Sequence, residues 1–221
     1  MKDFEKFARC NGNVSSTTLG KYSNVITNGW VSPTILEERK LNVTQMDVFS
    51  RLMQERIIFL GTDIDADVAN IITAQLLYLE SVGNDDITLY INSPGGEIIS
   101  GMSIVDTMNY ISSDISTVTT GMAASMASII GSSGTKGKRF ILPHGRYLLH
   151  QPLGGVRGQA SEIEIEYKEI QKHKEMLYKI LSDNTGQPYE KIWKDADRDF
   201  WLDAQESLDY GLVDQIVIKK K

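Results

Sequence analysis

The sequence has little of several features that would place it in other protein classes. It holds one cysteine, Cys10, in 221 residues, so no disulfide can form within the chain, which is typical of a reducing compartment. It has no run of about 18 apolar residues, the length that a membrane-spanning helix needs. Asp and Glu outnumber Lys and Arg by 29 to 23, and phosphate backbones bind basic surfaces. We therefore expect a cytoplasmic protein with no nucleic-acid or membrane partner.

A polar leader precedes the globular part. Residues 11–32 are rich in Asn, Gly, Ser and Thr, a composition with too few apolar side chains to build a core. The chain as a whole is 41% hydrophobic, which is enough for one. We predict a flexible leader over residues 1–29 and one globular domain over residues 30–221.

Strand and helix patterns alternate along the globular part. Ile57–Leu60 is a short apolar run of strand type, and residues 67–82 carry apolar side chains at helical spacing. The stretches 57–82, 87–111 and 115–133 resemble one strand–helix unit used three times. Repeated units of this kind predict an α/β fold with mostly parallel strands.

Three local patterns predict helix boundaries. The segment 42–47 is predicted to begin a helix, with a threonine as its cap, and residues 123–132 are predicted to form a helix of small residues. Ser161 and Glu164 have the spacing of a capping box. We therefore predict a long helix from there to a stop at Gly186.

Ser125 and His150 are the most informative pair of residues. Ser125 stands among small residues, which would let a substrate backbone approach its hydroxyl, and His150 follows an apolar run of strand type. A serine hydroxyl needs a neighbouring base to act as a nucleophile at neutral pH, and a histidine held at a strand end supplies one. A packing serine and a structural histidine are the alternative. His144 and His173 are weaker candidates, because they fall in a turn and on a polar helix face.

Backbone N–H groups near this pair predict a site for a developing negative charge. A strand at 115–120 leads through Gly121 into a helix, which sets the Met126 N–H at a helix N-terminus. The Ser-Pro-Gly-Gly segment at 93–96 would supply a second donor, because glycine lets the backbone approach a ligand closely. An ordinary strand-to-helix turn is the other interpretation of that segment.

A carboxylate is needed to orient His150, and the residues by themselves do not choose it. Five aspartates crowd the C-terminal region: Asp195, Asp197, Asp199, Asp203 and Asp209. In a triad, the acidic member is recognised by geometry rather than by its order in the chain. All five therefore stay open at this level.

Four short segments, taken in order, resemble the ClpP family, the serine peptidase cores of ATP-dependent Clp proteases. They include Tyr-Ile-Asn-Ser-Pro-Gly-Gly, which ends at Gly96, and His-Gln-Pro-Leu-Gly-Gly, which begins at His150. The likeness runs from about Pro33 to Ile218. It implies a ClpP/crotonase-like spiral of ββα units with a protruding strand–helix handle at about 154–185.

The resemblance also implies roles for residues. It implies a triad of Ser125, His150 and Asp199, with the N–H groups of Gly96 and Met126 as the oxyanion hole. The activity implied is that of a serine endopeptidase that needs no metal or other cofactor and cleaves unfolded polypeptides inside two stacked seven-membered rings. The chain has no Gly-x4-Gly-Lys-Ser/Thr pattern, so ATP hydrolysis would belong to a hexameric AAA+ partner.

Two further expectations come from the same resemblance. Tyr90 matches an aromatic residue of the cleft that binds the ATPase in this family, and a core aromatic is the alternative. The leader is expected to be a propeptide that the enzyme removes near Gly29. Residues 30–41 would then line the axial pore.

Three other functions were weighed against this one. An enoyl-CoA hydratase or isomerase of the same superfold would share the paired oxyanion donors but not a Ser–His–Asp set. An inactive ClpP-like ring subunit would lack a member of that set. A Ser–Lys peptidase would use Lys136 or Lys138 as the base. Because His150 can already serve as the base, a lysine base is unnecessary.

Overall fold

The computed structural model describes Ser15, residues 34–39 and residues 42–218. The predictions on the leader, on its removal near Gly29 and on a pore segment fall largely outside the described residues. Within the described part, no helix has the length and hydrophobicity that a membrane crossing requires.

Nine strands and seven helices lie within the described residues. The strands are β1 (Thr34–Arg39), β2 (Asn42–Asp47), β3 (Ile57–Leu60), β4 (Ile87–Ser93), β5 (Ile115–Ala124), β6 (Arg139–Ile141), β7 (Arg146–Leu149), β8 (Phe200–Leu202) and β9 (Gln215–Ile216). The helices are α1 (Val48–Gln54), α2 (Ala66–Val82), α3 (Ile98–Tyr110), α4 (Met126–Ser132), α5 (Ala160–Thr185), α6 (Tyr189–Asp195) and α7 (Ala204–Tyr210). The predicted alternation of strands and helices is confirmed.

Strand β5 is the branch point of a seven-stranded sheet. β3, β4, β5, β6 and β9 lie side by side in that order, and all are parallel. The C-terminal end of β5, at residues 122–124, pairs instead with β7, and β7 pairs antiparallel with β8. β1 and β2 form a separate antiparallel hairpin. The mostly parallel pairing predicted from the sequence is therefore confirmed, and the C-terminal end of β5 leads into a second arm of the sheet.

The core lies on one face of the parallel strands. Leu89 and Ile91 of β4 are fully buried, whereas Thr88 and Tyr90, which point to the other face, are partly exposed. Buried residues of α2 and α3 belong to the same hydrophobic cluster. Full burial of one such aliphatic side chain contributes about 1.5–3 kcal/mol. This packing fixes the strand ends that carry the candidate site.

Two predicted helix starts are wrong because strand pairing takes precedence there. Residues 42–47 form β2, which pairs along its whole length with β1, and the helix begins at Val48. Its cap is Asp47, whose carboxylate accepts the Ser50 N–H at 3.0 Å. Residues 123 and 124 remain in β5, because β7 pairs with them, and the small-residue helix begins only at Met126.

The long helix α5 is confirmed, but its predicted cap is two residues too late. The Gln159 N–H donates to Glu162 Oε2 at 2.9 Å, so the helix begins at Ala160. Glu164 pairs with Lys168 one turn later instead. The stop at Gly186 is confirmed: its φ of 74° is left-handed, a conformation that glycine adopts without strain.

Candidate active site

Three neighbouring strands end at the same place, and each carries one of the predicted catalytic residues. Ser125 follows β5, His150 follows β7, and Asp199 precedes β8. β5 and β7 are parallel neighbours, and the Ser125 N–H donates to the Leu148 carbonyl at 2.9 Å. The geometry of the sheet thus brings together three residues that span 74 positions of the chain, from Ser125 to Asp199.

The register of β7 and β8 leads from His150 to one of the five C-terminal aspartates. The antiparallel pairing runs Tyr147 with Leu202, Leu148 with Trp201 and Leu149 with Phe200. Continued by one step beyond its last pair, the same register would set His150 opposite Asp199. Directly opposed residues of an antiparallel pair have their Cβ atoms about 5 Å apart, which is the distance range in which a carboxylate can orient an imidazole.

Three of the other four C-terminal aspartates are engaged elsewhere, and the fourth does not line the candidate cavity. Asp195 accepts hydrogen bonds from a tyrosine and a lysine, and Asp203 caps the N-terminus of α7. Asp209 accepts an amide proton from a glutamine one turn earlier. Asp197 and Asp199 are both exposed, but of the two only Asp199 lines the candidate cavity.

Ser125 occupies a strained turn between β5 and α4. Its φ of 53° and ψ of −125° lie in a region that residues other than glycine seldom adopt, at a cost on the order of 1–3 kcal/mol. Both the N–H and the hydroxyl of Ser128 donate to the Ser125 carbonyl, at 2.9 and 2.6 Å, and stabilise the turn. A sharp strand-to-helix turn presents a nucleophile at its tip, as in hydrolases with a nucleophile elbow.

Gly95 and Gly96 pass close to that turn. A Cβ atom on Gly95 would lie 2.6 Å from the Ala124 carbonyl oxygen and 2.7 Å from the Ser125 Cβ. Gly95 also has a left-handed φ of 98°, so only glycine fits here without strain.

The Gly96 N–H faces away from its neighbouring segment. Gly96 pairs with Ile64 in a parallel bridge, in which Ile64 bonds to the Gly95 carbonyl and to the Glu97 N–H, each at 2.8 Å. In a parallel bridge, one residue bonds to the two neighbours of the residue opposite it, and the N–H and C=O of that opposite residue point away from the bridge. The Gly96 N–H is therefore available on the side of Gly96 that faces away from Ile64.

All five predicted site residues line one cavity of about 680 Å³. Its walls include Gly96, Ser125, Met126, His150 and Asp199. Apolar side chains form much of the rest, among them Ile98, Ile129, Leu149, Leu153, Leu177 and Leu181. Such a lining suits an apolar substrate side chain, with a few polar groups to fix its orientation.

Ser125, His150 and Asp199 line the same cavity but are not hydrogen-bonded to one another in this structure. Among the described residues no hydrogen bond joins Ser125, His150 and Asp199 to one another, and His150 and Ser125 are each half-buried. Catalytic hydrogen bonds are commonly long in unliganded sites and shorten when substrate binds. The arrangement can therefore support nucleophilic attack by a serine, with a histidine as base.

Comparison with known proteins identifies the family. The family model described as Clp protease matches residues 39–220. The chain belongs to the Clp protease family. Three relatives carry the name ATP-dependent Clp protease proteolytic subunit, and each alignment covers 100% of both chains. They are 54% identical over 223 residues (Bacteroides fragilis), 53% over 222 residues (Porphyromonas gingivalis) and 52% over 223 residues (Bacteroides thetaiotaomicron).

Membership of the Clp protease family decides between the functions weighed from the sequence. The chain is a serine endopeptidase of the ClpP type with a ClpP/crotonase-like fold, and not an enoyl-CoA hydratase or isomerase. A Ser–Lys mechanism has no support in the geometry. Lys138 pairs with Asp86 and Asp114 at 2.6 and 2.8 Å, and His150, not a lysine, lines the cavity.

Tyr90 of this Clp family member lies on the half-exposed face of the sheet. Its ring stacks on Phe59 with the centroids 5.2 Å apart, and Phe59 meets Phe49 edge to face at 5.5 Å. These three side chains, which we call the aromatic patch, are all only partly buried. Tyr90 is therefore not a core aromatic of the isolated chain.

The first half of α5 lacks packing on its own subunit. Ile163, Ile165 and Tyr167 are 41%, 62% and 59% exposed, and Leu153 in the preceding loop is 84% exposed. Large apolar groups with this exposure on one helix are typical of an interface with another chain. This is the part of the chain that the family resemblance describes as a handle.

Sequence reasoning missed two polar residues beside the site. Gln151 follows His150 and bonds through its amide to the Asp197 carbonyl at 2.8 Å. Lys174 is only 8% exposed, although it falls in a polar stretch of α5, and it contacts Gln151 at 3.2 Å. Helical periodicity gives no signal for a buried lysine.

Among the described residues, no group of three or more His, Cys, Asp or Glu side chains could hold a metal ion.

Proposed function

We propose that Ser125, His150 and Asp199 form the catalytic triad of this endopeptidase. The observation that carries the proposal is that three strand ends bring these residues to one cavity, with Asp199 next in register opposite His150. Ser125 Oγ attacks the scissile carbonyl carbon while His150 accepts its proton. His150 then donates that proton to the leaving amine. A water molecule, activated in the same way, hydrolyses the acyl-enzyme.

Backbone N–H groups stabilise the negative charge that develops on the substrate oxygen in the tetrahedral intermediate. The Met126 N–H is the first of α4 and has no partner within that helix, and the Gly96 N–H points away from Ile64. Together they form the oxyanion hole in this proposal. Loss of one such donor costs about 10²–10³ in rate in hydrolases of this kind.

The substrates proposed are unfolded polypeptides. Small residues, among them Ala124 and Gly95, surround Ser125, so that an extended substrate backbone can approach its hydroxyl closely. The apolar walls of the cavity favour an apolar side chain next to the scissile bond. No cofactor takes part in these steps.

The assembly proposed is two stacked seven-membered rings, fed by a hexameric AAA+ ATPase in the bacterial cytoplasm. The exposed apolar residues of α5 support a contact between rings, and the aromatic patch supports a docking site for ATPase loops. The relatives are called proteolytic subunits of an ATP-dependent protease, which supports a separate ATPase.

We further propose that residues 1–29 are a propeptide and that residues 30–221 form the mature domain.

Replacing the nucleophile tests the proposal. Ser125→Ala should lower hydrolysis of a short fluorogenic peptide on the order of 10⁴-fold or more, with the native mass of the assembly unchanged. A fluorophosphonate probe should label the wild-type protein at Ser125 and leave the variant unlabelled. Hydrolysis by Ser125→Ala at the wild-type rate would overturn the mechanism.

A further inference from the structure

Lys174 is a buried cation held by aromatic rings. Its ammonium lies 4.1 Å from the centre of the Trp193 ring and 5.5 Å from that of Tyr178. Only 8% of the residue is exposed, and within the described residues it forms no ion pair with a carboxylate. Cation–π contacts stabilise such a group, most strongly where it is desolvated. Burial between the two rings restricts where the Lys174 ammonium can lie.

The proton donors of Lys174 determine how the Gln151 amide is oriented. An ammonium only donates hydrogen bonds, so the amide oxygen must face Lys174, and it does so at 3.2 Å. The amide nitrogen then faces the Asp197 carbonyl, to which it donates at 2.8 Å. The Asp197 carbonyl, which only accepts, favours the same orientation, so removing the cation takes away one of the two contacts that hold the amide in place.

The bond from Gln151 to Asp197 extends the β7–β8 ladder beyond its last backbone pair. That ladder ends at Leu149 and Phe200, one step before His150 and Asp199. The Gln151 side chain then joins the two chains again on the far side. The two triad residues are thus enclosed between one backbone pair and one side-chain bond.

A second bond from α5 holds the same segment. The buried Tyr178 hydroxyl donates to the Ala196 carbonyl at 3.0 Å. A tyrosine hydroxyl is protonated at neutral pH even at its ordinary pKa of about 10, and burial raises the pKa of Tyr178 further, to about 12. α5 therefore contacts the segment before Asp199 through two consecutive carbonyls, one directly and one through Gln151.

We propose that Lys174 and Gln151 are positioning residues that hold Asp199 opposite His150. This inference rests on the proposed triad. Lys174 and Gln151 touch neither the substrate nor the reacting atoms; Lys174 orients the Gln151 amide, and the amide fixes the distance between the two strand ends. Because the pair acts on catalytic geometry and not on the substrate cavity, its loss affects kcat and leaves KM nearly unchanged.

The test removes the cation and keeps the volume of its stem. Lys174→Met should lower kcat for a short peptide about tenfold, with KM within about twofold of wild type, since small misplacements of catalytic groups have effects of this size or larger. Lys174→Arg keeps a cation over Trp193 and should recover at least half of the wild-type kcat. Lys179→Met is the matched control, because Lys179 lies on the same helix and its side chain is 73% exposed; it should leave kcat unchanged.

A second variant keeps the proposal testable if Lys174→Met does not assemble. Gln151→Glu has the shape of the wild-type side chain and gains charge attraction to Lys174, but it loses the N–H that bonds to the Asp197 carbonyl. It should also lower kcat about tenfold, with native mass and thermal midpoint preserved.

The outcomes separate this inference from the proposed function. If wild-type hydrolysis does not depend on Ser125, the proposed triad fails. If it does, and either Lys174→Met or Gln151→Glu in an intact assembly keeps the wild-type kcat, only the positioning role is overturned. It is equally overturned if an assembled Lys174→Arg loses as much kcat as Lys174→Met, because side-chain shape and not charge would then explain the loss.

Discussion

The close approach of Gly95 to the Ser125 turn allows the effect of one methyl group to be worked out. A Cβ at Gly95 would lie 2.6 Å from the Ala124 oxygen, 2.7 Å from the Ser125 Cβ and 2.9 Å from the Met126 nitrogen, where ordinary contact begins at 3.4 Å. In Gly95→Ala the turn must therefore retreat by about 0.5–0.8 Å. The atoms displaced are those of the nucleophile and of one oxyanion donor.

Two costs add in Gly95→Ala. The left-handed φ of 98° costs an alanine about 1–2 kcal/mol, and overpacking adds about 1–3 kcal/mol. We expect a loss of about 2–5 kcal/mol in the free energy of unfolding. Because the displacement falls on reacting groups, kcat should drop about 10²-fold, while native mass shows intact rings.

Gly137→Ala is the matched control for this prediction. Gly137 has a similar φ of 88°, but a Cβ there would meet nothing within 4 Å. Gly137→Ala should therefore lower the free energy of unfolding only by the cost of a left-handed alanine, about 1–2 kcal/mol, and should leave kcat unchanged. Thermal unfolding and steady-state hydrolysis of a fluorogenic peptide measure both quantities. Equal stability and equal kcat for the two alanine variants would refute the steric argument.

Three further predictions concern the triad, the ATPase and the leader. Asp199→Asn should lower kcat on the order of 10⁴-fold, whereas Asp197→Asn, whose side chain lies outside the cavity, should change it little; the reverse ranking in a peptide assay would contradict the strand register. Tyr90→Ala should weaken ATP-dependent degradation of a folded, tagged protein more than cleavage of a short peptide, and equal losses would return Tyr90 to a purely packing role. Intact mass should show that wild-type protein loses the leader near Gly29 and that Ser125→Ala retains it; a fully active protein that keeps residues 1–29 would show that the leader is not a propeptide.

The sequence by itself determined the elements whose signals are local. The apolar run of β3 and the stop of α5 at Gly186 were predictable, because strand propensity and a left-handed glycine depend on a few adjacent residues. Ser125 and His150 were also identifiable, since a serine among small residues and a histidine at a strand end are visible in short segments. The repeated strand–helix unit predicted the α/β class for the same reason.

Only the tertiary structure decided where distant segments meet. β5 continues through Ala124 because β7 pairs with it, and a segment's own composition cannot report its pairing partner. Asp199 stands apart from its neighbouring aspartates through the antiparallel register of β7 and β8, which five similar side chains in one stretch do not encode. Lys174 is buried because Trp193 and Gln151 surround it. Charge and periodicity place a lysine at the surface, and long-range packing overrides them.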